Sequence, residues 1–191
     1  WLTLHSRVDF FQWPALAQEV TAATWPEHCE GRSLRCFRSY SLRQGDQLLA
    51  LGRTQWAVLG EKGRLIPFAQ SGFPEDFPFV EREGITEAPA RFRDDLLPEE
   101  LVQRHTVRST DIDMGRHMNN VAYVRLLLDC FPASVLADGK IASMEVHYAA
   151  PCLEGEELSV LCRREGGICR MAVRKPDGKT AVLAAVRFHE K

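Results

Sequence analysis

The segment Asn120-Val-Ala-Tyr-Val-Arg-Leu-Leu-Leu-Asp-Cys-Phe131 is the one stretch of the 191-residue sequence with sustained helical periodicity. Its apolar residues recur three or four positions apart, while charged residues fall on the opposite side. This spacing predicts an amphipathic helix. Asn119 or Asn120 would cap its start, and Pro132 would stop it.

Around this helix, apolar residues mostly alternate with polar ones, which is the spacing of β-strands. The predicted strands are 1–11, 19–25, 34–43, 48–59, 102–109, 141–149, 157–164, 169–174 and 181–189. Gly-containing turns between neighbouring strands, at 44–47, 165–167 and 175–179, predict hairpins. The sheets should therefore be antiparallel.

The stretch 73–98 is rich in proline and mixed charge and has no sustained period, which predicts a linker. We therefore expect a first domain at 1–72 and a second domain at 99–191.

A weak internal repeat relates the two parts. Segment 47–56 resembles 179–188, and 1–8 resembles 141–148, at an offset of roughly 130 to 140 residues. The first copy begins at the strand that follows a helix in the second copy. A duplication would place roughly 35 to 40 residues, holding a strand and a helix, before Trp1. The sheet of the first copy would then wrap a void or a foreign element.

The composition is that of an ordinary globular protein. There are 24 basic and 26 acidic side chains, a formal net charge of −2 and 45% hydrophobic residues. Nucleic acid is not an expected partner, and no apolar run is long enough for a membrane helix. The six cysteines form no C-x-x-C pair, so we expect reduced thiols in a cytoplasmic protein, without a metal site or cofactor.

Between strand 102–109 and the helix lies the densest polar cluster of the sequence, residues 110–120. Asp113 and His117 would lie beside the helix N-terminus, where unpaired N–H groups favour a developing negative charge. They are therefore candidates for polarising a carbonyl group. In the alternative interpretation, Asp111 and Asn119 only cap turns and His117 packs as an ordinary histidine.

The stretch Asp111-Ile-Asp113-Met-Gly-Arg-His117-Met-Asn119-Asn120-Val-Ala-Tyr123 resembles the D-x-D-x-N-x-H-V-N-N-x-x-Y signature of acyl-acyl carrier protein thioesterases. This resemblance implies an α+β fold of tandem hotdog domains, whose antiparallel sheets wrap a long central helix. The helix 120–131 would be that of the second hotdog, and the first hotdog would lack its N-terminal strand and helix.

The resemblance also implies roles for individual residues. Asp113 and His117 fall on the catalytic aspartate and histidine of the family, whereas Gly115 replaces its asparagine. Cys152 matches the cysteine of a Glu-Cys-like pair, and Pro151 stands in place of the glutamate. Asp113, His117 and Cys152 are therefore the candidate catalytic residues.

Two mechanisms remain open from the sequence. Asp113 and His117 could activate a water molecule while helix N–H groups stabilise the oxyanion. Alternatively, Cys152 could attack the thioester with His117 as its base. Glu145 and His147, on the strand after the helix, are reserve candidates.

The implied function is release of free fatty acid from acyl carrier protein in fatty acid biosynthesis. The partner would be the carrier protein with its 4'-phosphopantetheine-linked acyl chain, and the enzyme would be a monomer or a homodimer. Alternatives are an acyl-CoA or aroyl-CoA thioesterase and a non-catalytic acyl-thioester sensor. Arginines near the motif are candidates to receive the carrier protein; they are Arg104, Arg108, Arg116 and Arg125.

Overall fold

The computed structural model describes residues 1–61, 63–138 and 141–189. The chain divides into two compact units, Trp1–Pro89 and Ala90–Lys191. The division falls inside the stretch 73–98, which the sequence assigns to a linker. Parts of that stretch are nevertheless well packed, since Ile85 and Leu96 are buried.

The first unit is an antiparallel sheet. Its strands are β1 (Leu2–Phe10), β2 (Thr21–Pro26), β3 (Cys36–Gln44), β4 (Gln47–Leu59) and the short β5 (Leu65–Ile66). They pair in the order β2-β3-β4-β1, and β5 pairs with β4. Gly45, with φ of 56°, makes the tight β3–β4 turn because it tolerates this backbone conformation without steric cost.

The second unit combines a sheet with helices. Its strands are β6 (Leu101–Thr106), β7 (Ile141–Tyr148), β8 (Glu157–Glu165), β9 (Ile168–Arg174) and β10 (Thr180–Phe188), and its helices are α1 (Asn120–Leu128) and α2 (Ala133–Ala137). The strands are antiparallel, in the order β7-β10-β9-β8-β6. Short 3₁₀ turns occur at Phe68–Gln70 in the first unit and at Pro98–Glu100 and Ser109–Asp111 in the second.

All the predicted strands are present, and two predictions about helices need correction. Helix α1 ends at Leu128 rather than at Phe131. Phe131 is nevertheless buried, with its ring 5.4 Å from that of Phe188, and its burial preserves the apolar spacing. A second helix, α2, begins directly after Pro132, because proline is well tolerated at a helix start.

The strand orders of the two units correspond. The repeated segments match β1 to β4 of the first unit with β7 to β10 of the second. The first unit pairs in the order β2-β3-β4-β1, and the second unit, starting from its corresponding strand, pairs in the order β8-β9-β10-β7. This agreement supports the duplication inferred from sequence. The described part of the first unit, 1–61 and 63–89, contains no α-helix.

One part of the core of the second unit lies between α1 and one face of its sheet. Leu126 and Leu127 of α1 are buried, and the ring of Tyr123 packs edge-on against Tyr148 of β7, with centroids 6.1 Å apart. Alternation from Tyr148 then directs Val146, also buried, to the same side. Among the described residues, no helix is long and apolar enough to cross a membrane.

Candidate active site

The loop between β6 and α1 is closed by its own backbone hydrogen bonds. The N–H of Asn119 donates to the carbonyl of Asp111 at 2.8 Å, and the N–H of Asp113 donates to the carbonyl of His117 at 3.0 Å. These bonds form a small hairpin, in which Asp113 and His117 face each other and residues 114–116 make the turn. Residues that are four positions apart in sequence therefore lie side by side.

Both candidate side chains lie close to Gly115. Its N–H donates to Oδ1 of Asp113 at 2.7 Å. A Cβ atom at Gly115 would lie 3.0 Å from Oδ1 of Asp113 and 3.7 Å from Nδ1 of His117. The carboxylate and the imidazole therefore approach the same point above Gly115, a space that a side chain at this position would enter.

The tip of the loop is open to solvent. Asp113, Gly115 and His117 are exposed, and Arg116 adopts a positive φ of 62°. A positive φ is uncommon for a residue with a side chain, and such strain occurs often at functional sites.

Helix α1 begins directly after this loop. The side-chain oxygen of Asn119 accepts the N–H of Ala122 at 2.9 Å, so Asn119 is the N-cap, one of the two caps that the sequence allowed. His117 lies two positions before this cap. The positive end of the helix dipole is therefore next to the loop that carries Asp113 and His117.

Cys152 joins the loop through its backbone, while its thiol is buried. Its carbonyl accepts the N–H of Met118 at 2.9 Å, and its N–H donates to the hydroxyl of Tyr123 at 3.1 Å. The side chain of Cys152 has no exposed surface, and burial raises the pKa of its thiol. Burial also raises the pKa of Tyr123 well above its usual value, so its hydroxyl stays neutral.

The position of the missing family glutamate is occupied by an ion-paired loop. The ammonium of Lys175 donates to the carbonyl of Pro151 at 2.7 Å and lies 3.0 Å from a carboxylate oxygen of Glu156. Glu156 in turn accepts the N–H of Leu153 at 3.1 Å. Sequence analysis missed this lysine–glutamate pair, because its members come from two different turns.

Asp111, the first aspartate of the motif, has a structural role. It accepts the N–H of Arg108 at 2.9 Å, and its carboxylate lies 2.9 Å from Nε2 of His105. Burial acts against its charged form. The hydrogen bonds from Arg108 and His105, with their charges, outweigh burial and lower the pKa of Asp111. The sequence proposed this turn-capping role for Asp111 as an alternative.

The reserve candidates Glu145 and His147 lie on the other face of the sheet. Because Tyr148 faces α1, alternation along β7 directs Glu145 and His147 away from it. Glu145 is buried and accepts the N–H of Ala90 at 2.8 Å. Within 1–61, 63–138 and 141–189, no three His, Cys, Asp or Glu side chains are grouped as a metal site would require.

Comparison with known proteins gives this fold a class. The chain superposes on an acyl-ACP thioesterase from Bacteroides thetaiotaomicron with a TM-score of 0.79 and 20% identity, over 98% of this chain and 76% of that one. The 12:0-ACP thioesterase from Umbellularia californica also gives a TM-score of 0.79, with 17% identity, 100% of this chain and 75% of that one. The fold is thus of the hotdog type found in thioesterases.

Sequence comparison gives the family. Residues 96–190 match the acyl-ACP thioesterase C-terminal domain. The oleoyl-acyl carrier protein thioesterase of Coriandrum sativum is 21% identical over 176 residues, 86% of this chain and 47% of the relative. A palmitoyl-acyl carrier protein thioesterase of Gossypium hirsutum is 21% identical over 207 residues, 100% of this chain and 50% of the relative. The chain belongs to the acyl-acyl carrier protein thioesterase family and spans about half the length of these curated relatives.

Proposed function

We propose that this chain carries the active site of a thioester hydrolase that releases free fatty acid from acyl carrier protein. The observation that carries the proposal is the convergence of Asp113 and His117 above Gly115, at 3.0 and 3.7 Å from a Cβ position there. The pair is exposed and lies next to the start of α1. A carboxylate and an imidazole that both border one solvent-filled space are suited to general-base chemistry on a water molecule held there.

In this mechanism, water is the nucleophile. Asp113 and His117 orient the water and accept its proton as its oxygen bonds to the thioester carbon. The resulting oxyanion is stabilised by the positive N-terminal end of α1. The carbon–sulfur bond then breaks, and the proton held by the pair passes to the departing thiolate, which leaves the free acid and a thiol.

Cys152 is better suited to a structural role than to nucleophilic attack. Its thiol is fully buried with a raised pKa, whereas a nucleophilic cysteine needs an accessible thiolate. Both of its backbone groups hold other parts of the site. We therefore place Cys152 in the framework that supports His117.

Positive side chains near the loop are suited to an acidic carrier protein. Arg108, Arg116 and Arg125 are exposed, and Arg104 is exposed beside Glu157 at 3.1 Å. Electrostatic attraction of this kind raises the rate of association more than the final affinity.

The architecture that we propose is a tandem of hotdog domains joined by residues 73–98. The matching strand orders of the two units support it. In the second domain, α1 would be the central helix, which agrees with its buried face and its contact with β7.

The test compares thiol release from acyl carrier protein and from acyl-CoA, side by side. We expect faster release from the carrier protein, slowed by about 10² or more in Asp113→Asn and unaffected by Asp46→Asn in an exposed turn of the first unit. Preference for acyl-CoA would instead support the coenzyme A alternative. Saturable binding without any release would support the sensor, and a covalent acyl group found on Cys152 by mass spectrometry would overturn the water mechanism.

A further inference from the structure

A second cluster of charged side chains lies on the sheet face turned away from α1. Glu145 marks this face, and its partner across the β7–β10 ladder is Ala185. Residues 90–97, here called the strap, cross it. Ala90 donates its N–H to Glu145, and Leu96 packs with Leu161, Ala172 and Leu183.

Two arginines of the sheet hold the strap in place. Nε of Arg174 donates to the carboxylate of Asp94 at 3.0 Å, and its Nη2 donates to the carbonyl of Leu96 at 2.6 Å. Arg163 donates to the carbonyl of Asp95 and to the carboxylate of Glu100, both at 2.9 Å. The charges of these two arginines are satisfied by the strap itself and by the turn that follows it.

A cavity of about 140 Å³ lies between the strap and strands β9 and β10. Most of the charged side chains that line it are positive. Four arginines line it, against a single acid, Asp95; they are Arg91 and Arg93 from the strap, Arg170 from β9 and Arg187 from β10.

These four guanidinium groups are poorly compensated. Arg170 lies 3.8 Å from Glu165, and Arg187 lies 3.9 Å from Glu145, both at the outer limit of an ion pair. In the described part of the chain, neither Arg91 nor Arg93 forms an ion pair. Asp95 is itself 3.5 Å from Arg163, outside the cavity. Clustered like charges repel one another, and a bound anion removes that cost.

The chemistry and size of the cavity select the anion. Guanidinium groups bind phosphate oxygens in pairs of parallel hydrogen bonds, and several of them favour a dianion over a monoanion. A volume of about 140 Å³ is below the roughly 300 Å³ of a typical small-molecule site, so only part of a ligand would enter. A phosphoryl group fits this description, with the remainder of its molecule in solvent.

We propose that this cavity binds the terminal phosphate of a small organic phosphate monoester. The site lies on the sheet face opposite α1 and involves neither Asp113 nor His117. It is independent of the proposed hydrolysis, and the test below measures binding alone.

The test is calorimetric titration of the full chain with inorganic phosphate, coenzyme A and 3'-dephospho-coenzyme A. We expect saturable binding of inorganic phosphate and of coenzyme A, which carries a phosphate monoester. The dephospho form, which lacks that monoester, should bind at least tenfold more weakly. Affinity should rise between pH 5 and pH 7.5, because the second ionisation of a phosphate monoester has a pKa of about 6.

Variants distinguish binding in this cavity from nonspecific attraction of anions to surface arginines. Arg91→Gln/Arg93→Gln should weaken binding at least tenfold, and Arg170→Gln should weaken it in the same direction. Arg32→Gln/Arg64→Gln removes two exposed charges from the first unit and should leave affinity unchanged. All of the altered side chains are on the surface, and melting temperatures check that each variant is folded. Equal loss in the control, absence of saturable binding, or equal affinity for coenzyme A and its dephospho form would overturn the proposal.

Discussion

Asp111 and Asp113 show how two identical side chains, two positions apart, take different roles. The carboxylate of Asp111 is engaged by His105 and the Arg108 N–H, whereas the carboxylate of Asp113 accepts the N–H of Gly115 and is exposed to solvent. The sequence indicated Asp113 and His117 by their place before a helix and by a family resemblance. It could not reveal the hydrogen bonds that the Cys152 backbone makes with Met118 and Tyr123, because these depend on how elements distant in sequence pack together.

Removing the charge of Asp113 should slow hydrolysis strongly. Asp113→Asn and His117→Ala should each lower kcat by about 10² or more, because loss of a general base commonly costs 10²- to 10⁴-fold. If the two residues serve one step, the double variant should lose less than the product of the single losses. Steady-state kinetics of all three variants, with folding checked by circular dichroism, tests this. Losses that multiply would assign the two residues to separate steps.

Tyr123 should act as a positioning residue through Cys152. Tyr123→Phe removes the acceptor of the Cys152 N–H, and an unsatisfied buried donor costs about 1 to 3 kcal/mol. Because Cys152 also holds Met118, beside His117, kcat should fall about tenfold with little change in KM. Amide hydrogen exchange at Met118 should become faster. Tyr40→Phe, in the first unit, is the matched control. Unchanged amide exchange at Met118 in Tyr123→Phe would contradict an effect of Tyr123 through Cys152.

Among the elements, those with a repeated period could be predicted and those without one could not. Strand alternation located β1 to β4 and β6 to β10, whereas β5 has only two residues and α2 only five, too few for any period to appear. The end of α1 at Leu128 was missed for a related reason. Phe131 extends the apolar spacing beyond the helix itself, so periodicity alone overestimates its length.

The ion pair between Asp94 and Arg174 should make the free energy of unfolding depend on pH in the acid range. The Arg174 hydrogen bond is the main cause that lowers the pKa of Asp94, opposed by burial and assisted by Thr180. A carboxyl group whose pKa is lower in the folded than in the unfolded protein stabilises the fold. The stabilisation is fully present above the unfolded-state pKa of about 3.9, and it is lost as the pH falls through the lower folded-state pKa.

Asp94→Asn should therefore reduce the free energy of unfolding by about 1 to 2 kcal/mol at pH 7, the size of a charge-assisted hydrogen bond. The difference from the unaltered protein should shrink below about pH 4. Urea denaturation at pH 7, 5, 4 and 3 measures it, with Asp46→Asn as the control in an exposed turn. A difference that persists undiminished at pH 3 would show that charge is not the cause.

At the scale of the whole molecule, the two units differ in what covers their sheets. The second unit has α1, whereas the described part of the first has a cavity of about 420 Å³ lined by rings, among them Trp1, Trp56, Phe68 and Phe73. A volume of this size is typical of small-molecule sites.

This cavity should bind a fatty acyl chain. We expect dodecanoate to displace a fluorescent apolar dye from the protein in a saturable manner. Cys36→Phe, which places a ring in the cavity lining, should weaken that displacement at least tenfold, whereas Cys29→Phe outside the lining should not. The measurement is competitive fluorescence titration. Identical behaviour of the two variants would place the dye and the acid elsewhere.

The space above Gly115 also constrains how this site can change over evolutionary time. A side chain there and the present position of the Asp113 carboxylate compete for one volume, at 3.0 Å from Cβ to Oδ1. The carboxylate is the end of a flexible side chain, so a shift of a few tenths of an ångström would admit a Cβ atom at position 115. An exchange of this glycine for the asparagine of the family signature would therefore displace the Asp113 carboxylate slightly and disturb the 2.7 Å hydrogen bond that it accepts from the N–H of residue 115.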